Sequence, residues 1–75
     1  MRSLPSLHSM ADLDELSDDL VRIEARLREL AFDRLREAAE GDTDAEVEER
    51  RLQRARRAVA KAIRELGGEP EGAWE

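Results

Sequence analysis

Seventy-five residues with one tryptophan, one phenylalanine and no cysteine set narrow limits on this chain. One small domain is the most such a length allows; no disulfide can staple it, and with His8 as the sole histidine a zinc staple is not expected. Charged residues are 43% of the sequence and the net charge is −6, which argues against a general nucleic-acid partner, because neutralising phosphate dominates affinity there.

The longest unbroken apolar runs, Leu30-Ala31-Phe32 and Ala58-Val59-Ala60, are far too short to span a membrane or form a signal-peptide core. Lack of cysteine fits a reducing cytoplasm. Abundant Ala, Glu, Leu and Arg is a long-helix or coiled-coil composition. Lys61 is the only lysine among the basic residues, a bias associated with GC-rich bacterial genomes.

Residues 1–9 hold Pro5 and three serines without a helical period, and read as a flexible leader ahead of Met10. Ser9 and Asp12 have capping-box spacing, and Asp12, Asp14 and Glu15 then suit the positive end of a helix dipole. The first helix is expected over residues 10–40, ending at Gly41. It carries two apolar stripes. Leu13, Leu16, Leu20, Ile23, Leu27, Leu30 and Leu35 form the main one, and Val21, Ala25, Phe32 and Ala39 a thinner one. At 100° per residue they lie roughly 150° apart around the axis. The main stripe is expected to face the second helix, which leaves the thinner one for another surface.

Residues 41–43 read as a turn, with Thr43 and Glu46 as a second capping box. The second helix is expected over residues 44–66, closed by Gly67-Gly68 and Pro70. Its apolar stripe is Ala45, Leu52, Ala55, Val59, Ala62, Ile63 and Leu66, with Val47 off to one side. Two amphipathic helices joined by a short turn make an antiparallel hairpin. Charge supports that pairing: the first helix has ten acids against five bases, the second seven bases against five acids. Folding brings Glu24 and Arg28 toward Arg57 and Lys61. The first helix is longer by about eight residues, so Leu13 and Leu16 overhang. Residues 67–75 form an acidic Gly/Pro tail ending in Trp74 and Glu75.

Two sets of candidate functional residues follow. Leu13, Leu16, Val21, Ala25, Phe32 and Trp74 are interface candidates, since each lies outside the simple hairpin seam or beyond its end. For Phe32 the alternative is a singly exposed apolar residue, and for Trp74 a plug over its own hairpin. Arg50, Arg54, Arg57, Lys61 and Arg64 repeat at 4-3-4-3 spacing and form one cationic face for an anionic partner. The alternative for that row is a solvated face with i,i+4 partners such as Glu46. The acids Asp12, Asp14, Glu15, Asp18 and Asp19 are read as helix N-terminal charge and not as an ion site.

Residues 13–38, through Leu13-Asp14-Glu15-Leu16, Arg22-Ile23-Glu24, Leu27, Glu29-Leu30 and Arg34, resemble the first helix of small all-helical chorismate mutases. That resemblance implies cations clamping a dianionic substrate, with Arg34 as one of them. Ser17 stands where the family pattern has an arginine. The hairpin with its acidic turn is similar to the coiled-coil finger of factors that enter the RNA polymerase secondary channel. The stretch Leu52, Ala55-Arg56-Arg57-Ala58-Val59-Ala60-Lys61 resembles the second helix of a two-helix ribosomal protein.

The sequence therefore leads to an all-α, coiled-coil-like antiparallel hairpin that completes a four-helix bundle by self-association. Its expected role is a cytoplasmic interaction or regulatory module without enzymatic activity, cofactor or metal. Its expected partner is itself, another protein, or both.

Overall fold

The computed structural model describes the backbone of residues 6–70 and the side chains of residues 12–70. Helix α1 spans Ser6–Ala39 and helix α2 spans Thr43–Glu65, and the two pack antiparallel along their lengths. The start of α1 differs from expectation. Nothing from Ser6 to Met10 interrupts a helix, and Pro5 is the nearest residue that would, so residues 6–9 join it. Ser9 and Asp12 are then interior positions and no acid sits in the first turn, so that capping box is not formed.

Both helices end in the same way. Gly41 takes φ +106°, its N–H donates to the Ala38 carbonyl at 3.0 Å, and the Asp42 N–H donates to the Glu37 carbonyl at 3.1 Å. Gly67 takes φ +91°, with Gly67 N–H to Arg64 carbonyl and Gly68 N–H to Ile63 carbonyl, each at 3.0 Å. These paired 5→2 and 6→1 bonds are Schellman closures, and the left-handed φ at each is why glycine stands there. Between the helices, Asp42 caps α2: its side-chain Oδ1 accepts from the Ala45 N–H at 3.1 Å. The expected Thr43 cap is thus displaced by one residue. Gly41 turns the chain so tightly that Asp42 already occupies the extended capping position, at φ −84° and ψ 104°.

The packing line between the helices is the main correction to the sequence reading. On α1 it runs through Ser17, Glu24 and Ala31, and on α2 through Ala45, Ala60 and Ile63, all buried. Neither apolar stripe of α1 faces α2 squarely. The buried line bisects them, and each stripe becomes a flank. Ala31 on this line lets the backbones approach. Ile63 is the one large apolar side chain fully buried among the described residues. A single layer of two helices, 14 Å across its thinnest direction, has two broad faces.

After α2 the chain turns across α1. A Cβ added at Gly68 would collide with Ser17 Oγ and sit 3.1 Å from Ile63 Cγ2, so this crossing requires glycine for space. Pro70 beyond it is buried. The crossing marks where cover on α1 stops, and Leu13 and Leu16 on the far side of Ser17 are exposed. Trp74 lies outside the described residues.

Candidate interaction surface

The centre of the helix pair is ionic. Glu24 has no exposed side-chain surface, and its two carboxylate oxygens are divided between two arginines. Arg28 Nη2 donates to Oε1 at 2.6 Å and Arg56 Nη1 donates to Oε2 at 3.1 Å. Both arginines keep water access, with side chains 42% and 27% exposed. Arg56 Nε also donates to Gln53 Oε1 at 3.0 Å, and Gln53 Nε2 donates to Glu49 Oε2 at 3.2 Å. A buried carboxylate is costly unless both oxygens are satisfied, and here they are. Sequence reasoning brought Glu24 toward Arg57 and Lys61, which lie roughly 100° or more around the α2 wheel from Arg56. The signal that could have located it is the bisector of the two apolar stripes, which passes through Glu24 on α1, while Arg56 lies beside Ile63 on the α2 wheel.

A second cross-helix pair closes the turn end. Arg34 Nε donates to Glu48 Oε1 at 2.8 Å, and Arg34 Nη1 lies 3.6 Å from Glu37 Oε1. The Glu48 hydrogen bond, then the Glu37 charge, raises the Arg34 guanidinium above its ordinary value. The arginine that the mutase resemblance singles out is therefore engaged within the hairpin by two carboxylates.

On one broad face, α1 contributes Leu16, Leu20, Ile23, Leu27 and Leu30 at 4-3-4-3 spacing, continued by Arg34. The Arg34–Glu48 pair ties this flank to the α2 series Glu48, Leu52, Ala55, Val59, Ala62 and Leu66. Every apolar member of both series is half-buried or exposed, with Leu16 at 53% and Ile23 at 48%. A shallow groove of about 470 Å³ runs along it between Asp19, Arg22, Ile23, Arg26, Leu27 and Leu30. We call this the leucine face.

The opposite face is more mixed. Phe32 is 60% exposed, Arg36 lies over its ring at 5.8 Å, and Leu35 is also open. A groove of about 280 Å³ there is lined by Arg28, Glu29, Ala31, Phe32, Leu35 and Gln53. Of the interface candidates, Leu13, Leu16 and Phe32 are exposed while Val21 and Ala25 are half-buried. They do not form one surface: Leu16 belongs to the leucine face, Val21, Ala25 and Phe32 to the opposite one, and Leu13 to the uncovered end. Leu35, expected in the helix seam, is open on the Phe32 side.

The cationic row Arg50, Arg54, Arg57, Lys61 and Arg64 is exposed on the outer side of α2, away from α1. Arg50 donates to Glu46 Oε2 at 3.0 Å, an ordinary i,i+4 surface pair. Among the described residues no group of three His, Cys, Asp or Glu side chains converges as a metal site, and no helix is long and apolar enough to cross a membrane. No protein-family model, curated protein or solved structure matches this chain.

Proposed function

We propose that this hairpin is a protein-interaction module that completes its core by docking its leucine face against other helices, and that it acts by binding and not by catalysis. The natural form of such an assembly is a four-helix bundle, in a cytoplasmic setting that asks for no disulfide. One observation carries this reading. On the leucine face Leu16 and Ile23 are exposed and Leu20, Leu27, Leu30, Leu52, Val59 and Leu66 only half-buried, while Ile63 is the one large apolar side chain fully buried among the described residues. Fully burying one leucine is worth roughly 1.5–3 kcal/mol, so covering side chains that are about half open would add several kcal/mol to what the hairpin collects by itself. A layer one helix thick cannot fold over both of its faces.

Sedimentation and circular dichroism across a dilution series test the reading. The expected outcome is either an assembly heavier than the 8.5 kDa chain with a concentration-dependent melting temperature, or a lone chain that melts without cooperativity until its partner is added. A cooperative, concentration-independent 8.5 kDa monomer overturns it.

A further inference from the structure

We infer that the leucine face receives a second copy of this chain, with the two α1 helices antiparallel about a two-fold axis and Asp19 of each beside Arg26 of the partner subunit. This rests on the proposed interaction role and specifies its partner and register. Leu13 at the uncovered end extends the leucine face, and Leu13, Leu16, Leu20, Ile23, Leu27 and Leu30 together follow 3-4-3-4-3 spacing, which is a coiled-coil seam. Their centre lies roughly 70° around α1 from the line that α2 covers, close to the right angle of a square four-helix bundle.

Antiparallel seams bring the two kinds of core position opposite each other, so only registers one heptad apart are available. One of them gives every seam residue an apolar partner: Leu13 with Leu30, Leu16 with Leu27, Leu20 with Ile23. Sliding one heptad one way sets Leu16 against Arg34 and strands Leu13. Sliding the other way strands Leu27 and Leu30.

Charge rejects the first of these slides. The seam edge away from α2 carries Asp12, Asp19, Arg26 and Asp33, seven residues apart. In the fully paired register Asp19 faces the partner's Arg26, and symmetry makes this happen twice. The first slide sets Arg26 against Arg26 and Asp19 against Asp33; the second sets Asp19 against Asp19 but Arg26 against Asp12 twice, so there it is the stranded Leu27 and Leu30 that decide. Asp12 and Asp33 do meet in the favoured register, at the seam ends, where water screens them and Arg36 already pairs with Asp33 at 2.8 Å. Asp19 is also paired with Arg22 on its own helix, which leaves it exposed at the groove edge.

The position of α2 decides between antiparallel and parallel. In the antiparallel pair both α2 helices lie on the same side of the seam, so their half-buried stripes of Leu52, Ala55, Val59 and Ala62 meet each other. In a parallel pair each α2 stripe would face the charged edge of the other α1. Only the antiparallel pair covers the whole leucine face with apolar surface.

Charge reversal tests this with the full chain. Asp19→Arg or Arg26→Asp alone turns both cross-subunit pairs into like-charge pairs and should weaken dimerisation by roughly tenfold at low salt. An equimolar mixture of the two variants restores both pairs in the heterodimer, so native mass spectrometry should show the heterodimer far above the statistical half. Circular dichroism of each variant shows whether helicity is kept; a variant helical only in the mixture supports the proposal equally. A dimeric parent whose variants mix statistically overturns the register while leaving the interaction role intact. A parent that is monomeric and melts without cooperativity overturns the second copy but not that role. A cooperative monomer overturns both.

Discussion

Replacing Glu24 with Gln probes the ionic centre of the hairpin without changing its volume. The carboxylate accepts from Arg28 at 2.6 Å and from Arg56 at 3.1 Å, and its side chain is wholly out of water. An amide keeps one acceptor and presents a donor to a guanidinium where the second acceptor was, so one charge-assisted bond is replaced by a donor facing a donor. Hydrogen bonds to charged groups are each worth about 1.5–3 kcal/mol, and removing one partner of a fully buried pair costs about 3–5 kcal/mol. Arg56 and Arg28 remain 27% and 42% exposed, so water can take over part of their solvation and the lower end applies. The expected loss is about 2 kcal/mol, or roughly 10 °C in melting temperature for a domain of this size. Thermal and urea melts should be compared at one fixed protein concentration, because association would otherwise shift the midpoint. Added salt should narrow the difference little, since Glu24 is not open to screening. The double replacement Glu24→Leu with Arg56→Met, which removes the charges together, should recover to within about 1 kcal/mol of the parent. If Glu24→Gln melts within 1 °C of the parent, Glu24 is not sealed between the helices and the packing line is wrong.

Two further substitutions separate backbone strain from lack of space. Gly41→Ala meets nothing within 4 Å but must hold φ +106°, so it should cost about 1–2 kcal/mol in chemical denaturation whatever stands at position 17. Gly68→Ala should be destabilising through its collision with Ser17 Oγ, and Ser17→Ala should rescue part of that loss; simple additivity of the two changes would refute the close crossing. Ile63→Ala empties the one large apolar site fully buried among the described residues, at the Ser17 end of the interface, and should cost about 2–5 kcal/mol. A loss under 1 kcal/mol would mean that another side chain fills that space.

Much of the fold is legible from local chemistry alone. Gly41 and Gly67 follow helical periods and mark the two C-termini because glycine accepts left-handed φ without penalty. The short turn between amphipathic segments makes an antiparallel hairpin, and the 3–4 spacing of leucines marks α1 as apolar on more than one side. Capping details were less legible. Asp42, Thr43 and Ser9 are all competent caps by type, and only the geometry of the Gly41 turn decides that Asp42 takes the position.

What tertiary structure alone decided is which strip of α1 meets α2. Helical periodicity says that Leu16, Ile23 and Leu30 lie on one side of α1 and Phe32 on another; it does not say that a partner helix will settle between them. The outcome depends on both surfaces at once. Ala31 and Ser17 are small enough for α2 and its following Gly68 to come close, and Arg56 supplies the cation that makes a buried Glu24 tolerable. Read on α1 alone, Glu24 looks like any solvated helix charge. Its place in the interface is a property of the pair, and so is the leucine face that the pairing leaves uncovered.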